Sequence, residues 1–236
     1  MDGFSYTNIF ETKGIEYLII IAFLMLITPF WLAINRKVSL ATQARSTLGV
    51  LSAAALNIPE GLYFNRNHTW TFLERNGIAR MGVDDFLLHI TGEVKMDPLN
   101  KEGDVVKKGD LILTIDNGGK VLRIYSPVSG RITGINPVLR ENPAAVMDDP
   151  YGRGWVYEIK PSDWKAETSS FFIAGEAIAW TKSELEKFKD FMALSIRKYT
   201  PETSLAILQD GGDLIDRPLS GLSDEVWQDF QRSFLD

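Results

Sequence analysis

Few side chains in this sequence can do chemistry, and their scarcity narrows the choice. Cysteine is absent from the 236 residues. That removes disulfides, thiolate metal sites, Cys-ligated iron–sulfur clusters and a thiol nucleophile. Histidine occurs only at His68 and His89. Neither has a nucleophile or base beside it in sequence, so neither reads as catalytic, and His89, between Leu88 and Ile90, reads as packed or interfacial. The adjacent acids Asp148 and Asp149 fall short of a Ca²⁺ loop, which needs further oxygen ligands, a glycine and a terminal glutamate. They read instead as part of an Asp-Pro-Tyr-Gly turn. Gly118-Gly119-Lys120 offers a primary amine after a glycine turn, but it lacks the Gly-x4-Gly-Lys-Ser/Thr length of a phosphate loop. With no nucleophile–base pair and no metal set, the chain alone is expected not to be an enzyme.

The elements that would hold such groups begin with a membrane segment. Residues 15–34 read IEYLIIIAFLMLITPFWLAI, with Glu16 as the one charge. A helix of this length covers about 30 Å, the hydrocarbon thickness of a bilayer. Tyr17 and Trp31 stand near its ends, where aromatic rings favour the interface. A cleaved signal peptide fits poorly, because the preceding residues are acidic and no small-x-small site follows. Arg36, Lys37 and Arg45 follow the span, which places the C-terminal side in the cytoplasm and residues 1–14 outside. The expected site is therefore the inner (cytoplasmic) membrane, crossed once. Residues 35–60 form a connecting segment, in which 48–58 reads as a short helix packed on a partner or the membrane surface.

After Pro59-Glu60-Gly61 the pattern becomes short strands with turn punctuation. Strands are expected at 70–73, 78–83, 92–96, 111–116, 121–125, 129–136 and 155–160, with a short helix at 84–89 capped by Asp84. Glycine corners at Gly103 and Gly109 argue a small sandwich or flattened barrel. Residues 164–236 read as a helical extension. A helix over 183–196 has a capping-box-like start at Ser183 and Glu186 and an apolar stripe of Leu185, Phe188, Met192 and Ile196. Two more amphipathic stretches follow at 201–209 and 224–235. The composition, 45% apolar and 24% charged, is that of a folded protein. The net charge of −6 argues against nucleic acid as a partner.

Several runs within 61–163 carry a resemblance. They are His68-Thr69-Trp70, Ala79-Arg80-Met81-Gly82-Val83-Asp84-Asp85-Phe86 and Gly103-Asp104-Val105-Val106-Lys107-Lys108-Gly109-Asp110. Two more are long and ordered: Tyr125-Ser126-Pro127-Val128-Ser129-Gly130, and Asp149-Pro150-Tyr151-Gly152-Arg153-Gly154-Trp155 followed by Ile159-Lys160-Pro161-Ser162-Asp163. Together they resemble the H protein of the glycine cleavage system, a lipoyl-carrier domain. The resemblance implies a mainly β, lipoyl-type flattened barrel or sandwich ending in a helix. It also implies lipoate on a lysine at a hairpin tip, in a Glu-Ser-x-Lys-Ala context eight residues before the proline of Tyr-Ser-Pro. Gly119 holds that place here, and Lys120 stands one residue later in Asp116-Asn117-Gly118-Gly119-Lys120-Val121. A shift of one residue in a hairpin reverses the face of a side chain. Asn117-Gly118 also favours a plain two-residue turn.

Two functions follow. The first is a membrane-anchored, non-lipoylated, H-protein-like accessory or scaffold subunit of a larger membrane-bound complex, a redox complex being one candidate setting. It would use no cofactor, and its tail residues Trp227, Phe230 and Phe234 would dock on other subunits. The second is a membrane-tethered carrier with lipoate on Lys120.

Overall fold

The computed structural model describes residues 17–18, 20–27, 50–142, 144–199, 208–209 and 213–236. The chain divides into two compact units, Met1–Gly49 and Val50–Asp236. Half of the expected span at 15–34 lies outside the described residues. Within it, 17–18 and 20–27 are helical, and Leu18, Phe23 and Met25 expose their apolar side chains. Among the described residues no helix is long and apolar enough to cross a membrane.

The second unit begins with β1 (Val50–Leu51), β2 (Tyr63–Asn65), β3 (Thr69–Leu73) and β4 (Ala79–Val83). Next come α1 (Asp85–Thr91), β5 (Lys95–Pro98), β6 (Val105–Val106), β7 (Leu111–Asn117), β8 (Lys120–Tyr125) and β9 (Gly130–Ile135). Two short helices, α2 (Val138–Glu141) and α3 (Ala144–Asp148), lead to β10 (Trp155–Pro161) and α4 (Trp164–Thr168). The long helix α5 (Ala174–Tyr199) precedes β11 (Leu208–Gln209), β12 (Asp213–Ile215) and α6 (Asp224–Phe230), which runs into a π-helical turn at Gln231–Leu235.

A six-stranded sheet (β2-β3-β4-β10-β9-β6) and a three-stranded one (β5-β7-β8) form the sandwich, and every pairing is antiparallel. The two sheets stay open, so the sandwich alternative holds and the closed barrel does not. One buried cluster joins Met81, Val83, Ile132 and Ile159 of the first sheet to Ile112, Ile115, Leu122 and Ile124 of the second. Tyr125 ends β8 and Gly130 opens β9, so Pro127 lies between strands, where its missing N–H costs no ladder bond. Gly130 must be glycine for a different reason. A Cβ there would collide with the Lys160 carbonyl oxygen on the neighbouring β10.

The structure corrects several expectations. Val50 and Leu51 are a strand, not part of a connecting helix; they pair with Ile215 and Leu214 in a third sheet, β1-β12-β11. The strand's partner lies far along the chain, and Leu51 is buried there with Leu214. Gly92 does not open a strand but ends α1, its φ of 77° and ψ of −150° being open to glycine alone. Helix α5 starts at Ala174, so Ser183 and Glu186 sit in its interior and cap nothing. The residues of the candidate tail helix at 201–209 lie outside the described residues except Leu208 and Gln209, which are in a strand. The extension is therefore not wholly helical.

The largest correction concerns Trp227, Phe230 and Phe234. They are 2%, 0% and 5% exposed, within the core of this same chain. Phe230 stacks on Phe234 at 4.7 Å and meets Phe188 and Phe191 of α5 edge-on at 5.9 and 6.0 Å. An amphipathic stripe must be covered, and here the chain's own long helix and sandwich cover it. These rings offer no surface to a partner.

Candidate functional site

The β7–β8 hairpin is where the resemblance places chemistry. Asn117 pairs with Lys120, so Gly118 and Gly119 are the two loop residues, at φ 61° and 95°. Two consecutive left-handed residues make a type I′ turn, which glycine adopts without strain. The turn is tight, as expected, but it sits one residue later than Asn117-Gly118. The reason lies in the side chains. The Asp116 Oδ1 accepts from the Gly119 N–H at 2.9 Å, and the Asn117 Nδ2 donates to the carbonyls of Thr91 and Glu93 at 2.9 and 3.1 Å. Asn117 thus caps the carbonyl end of α1 while closing β7.

Gly119, at the carrier register, is open: a Cβ built there meets nothing within 4 Å. Lys120 is different. It is the first residue of β8, and its Nζ donates to the Ser220 carbonyl at 3.0 Å and lies 5.9 Å from the centre of the Trp227 ring. The Trp227 Nε1 in turn donates to the Leu219 carbonyl at 2.9 Å. The amine is partly exposed but folded back along the tail. Lys120 and Trp227 are brought together; Phe230 and Phe234 lie deeper, against α5.

His68 has no part in this hairpin. It is fully buried, with φ 55°, a left-handed conformation that histidine tolerates better than most residues. Its Nδ1 is 2.8 Å from Asp84 Oδ2, and its ring stacks on Phe86 at 4.6 Å. The Nε2 has no hydrogen-bond partner among the described residues; Glu184 Oε2, at 3.8 Å, is close enough for ion pairing only. Burial lowers the imidazole pKa, but the Asp84 carboxylate and then Glu184 outweigh it and raise it to about 9. The Asp84 Oδ1 meanwhile accepts from the Leu87 N–H at 2.9 Å, the expected cap of α1. The cluster therefore joins the β4–α1 corner to α5.

His89 is half-buried and bonds Asp216 through Nδ1 at 2.8 Å. Burial lowers its pKa, but Asp216 with Asp85 outweighs this for a net upward shift; burial raises the Asp216 pKa, but His89 and then Arg217 outweigh it and bring it down. Asp149 accepts from the N–H groups of Gly152 and Arg153 at 2.9 and 3.0 Å, which makes Asp148-Asp149 part of a turn. No cluster of metal-ligating side chains occurs among the described residues.

Comparison with known proteins decides the family. The family model described as Glycine cleavage H-protein matches residues 62–184, just over half of the chain. This chain belongs to the glycine cleavage H-protein family. A probable glycine cleavage system H protein of Pyrococcus abyssi is 28% identical over 134 residues, 57% of this chain and 99% of that protein. Glycine cleavage system H proteins of Psychrobacter cryohalolentis and Thermus thermophilus are both 32% identical, over 107 and 108 residues, covering 85% and 84% of those proteins. A crystal structure of a glycine cleavage system H protein from Mycobacterium marinum aligns at TM-score 0.47 with 23% identity, over 52% of this chain and 98% of that one.

Family membership makes residues 62–184 an H-protein, lipoyl-carrier-type domain. Sequence reasoning missed Glu184 and Ser220, which hold His68 and Lys120. Ser220 acts through its backbone carbonyl, so no side-chain pattern could have marked it. Glu184 stood in plain view, but in sequence it lies far from His68.

Proposed function

We propose that this chain is a membrane-tethered H-protein-type subunit that carries no lipoate and serves as an accessory or scaffold component of a larger membrane-bound assembly. The hairpin tip carries this reading. The carrier register falls on Gly119, which has no amine, and the nearest amine, Lys120, opens β8 and is bonded to Ser220. A carrier lysine has to protrude so that its acyl group can swing between partners, and a strand-end lysine bonded to the tail does not. The membrane tether is supported by the 20-residue apolar run at 15–34 and by the basic flank of Arg36, Lys37 and Arg45. By the same rule the H-protein domain faces the cytoplasm. Other subunits of the assembly are the partners in this reading.

A second reading has its own support. The matched relatives bear the name glycine cleavage system H protein, and taken alone the comparisons favour a lipoate carrier. Lys120 is the only lysine from 111 to 125 and would be its attachment point. In the scaffold reading, Lys120→Arg leaves assembly intact: the variant, solubilised in mild detergent, co-purifies with the same membrane subunits in the same proportions as the wild type. Retained subunits together with lost function of the assembly would shift the balance to the carrier. Recovery of the tagged chain without any membrane subunit would count against both the tether and the scaffold.

A further inference from the structure

Strand β8 is the outer strand of the β5-β7-β8 sheet. Such an edge presents unpaired backbone N–H and C=O groups, a template for pairing with another chain. Here one side chain answers that template. The Gln231 Oε1 accepts from the Arg123 N–H at 2.8 Å, and the Gln231 Nε2 donates to the Arg123 carbonyl at 3.2 Å. A side-chain amide thereby makes the two bonds that a neighbouring strand's peptide would make. The Gln231 Nε2 also donates to Asp236 Oδ1 at 2.7 Å, and the Tyr125 hydroxyl donates to the same oxygen at 3.2 Å. At the other end of β8, Ser220 and Trp227 hold Lys120.

We propose that the C-terminal segment is a built-in cover for the hairpin: Gln231 takes the place of a strand's peptide against β8 at Arg123, Ser220 and Trp227 hold the Lys120 amine, and the edge along which an extended partner peptide would add to this sheet is thereby blocked at Arg123 by the chain itself. The cover is permanent. Lifting it would bring Val226, Trp227, Phe230, Phe234 and Leu235 out of the core, all of them at most 5% exposed. Partners must therefore engage this family member on other faces. The inference deepens the proposed function, because it explains why the hairpin is unsuited to a swinging arm, but it stands on separate contacts.

Amide hydrogen exchange of the full chain tests it. Arg123 and Val121 face the same edge of β8, two residues apart, and Gln231 reaches only Arg123. One added hydrogen bond slows exchange by roughly five- to tenfold, so the Arg123 amide should exchange more slowly than Val121 by that factor, and Gln231→Ala should bring the two rates together. Lys120 should also react more slowly with an N-hydroxysuccinimide ester than the exposed Lys101 and Lys107. If Gln231→Ala fails to fold, the two wild-type measurements decide alone. Equal exchange at Arg123 and Val121, with Lys120 as reactive as Lys101, overturns the cover. A lipoyl group on Lys120 would overturn the proposed function while leaving the Arg123 measurement to be judged separately.

Discussion

Replacing His68 with glutamine should lower the unfolding free energy by about 3–5 kcal/mol, the usual cost of removing one partner from a buried ion pair. Asp84, 2% exposed, would lose its counter-ion. Glu184 would lose the cation that holds its pKa down, so the contact between α5 and the β4–α1 corner would weaken. The pH dependence gives a second signature. The His68 pKa is raised to about 9 from 6.5, so the native state binds a proton that the unfolded state gives up. Its stabilisation is complete below about pH 6.5 and is lost as pH rises through about 9. His89 shifts in the same direction, so the wild-type curve alone mixes the two. The difference between wild type and His68→Gln, followed by urea unfolding from pH 6 to 10, isolates His68 and should shrink toward high pH. A difference that stays constant with pH would mean that His68 contributes packing and not charge.

Phe230→Ala should cost a similar amount, about 3–5 kcal/mol, as expected for a large ring removed from a close-packed core. Phe230 is fully buried and touches Phe234, Phe188 and Phe191, so the cavity would be walled by rings from two helices that cannot easily collapse. Truncation after Tyr199 should be more damaging still, since it also deletes β11 and β12, the latter being the partner of β1. Thermal unfolding checks both. A truncated chain with an unchanged midpoint that had lost its membrane partners would restore the tail as a docking element.

What the sequence disclosed and what it hid have physical causes. The sandwich strands were legible because alternating apolar residues and glycine corners are local signals. The Asp84 cap was legible because its bond to Leu87 spans one helical turn. The Tyr-Ser-Pro-Val-Ser-Gly run placed Pro127 between strands correctly because proline constrains its own backbone. The start of α5 was obscured by a decoy: Ser183 and Glu186 have the spacing of a capping box, but Ala174–Lys182 is equally helical, and tertiary packing of Ala177 and Thr181 extends the helix through it. The stripe of Trp227, Phe230 and Phe234 was visible, but a stripe does not say whether its own chain or another covers it. The third sheet was invisible because Val50 and Leu51 find their partners near the other end of the chain. At the hairpin the register of Gly119 and Lys120 could be read directly, whereas the bond from Lys120 to Ser220 needed the folded chain.

In the proposed function this member of the H-protein family carries no lipoate. This is tested by the intact mass of the full-length chain purified from its native source, with peptide mapping across residues 111–136. The expected result is the mass of the unmodified polypeptide and a Lys120 peptide without an adduct. A lipoyl group on Lys120 in most of the molecules would contradict it, and would make the chain a tethered carrier whose arm leaves from the end of β8.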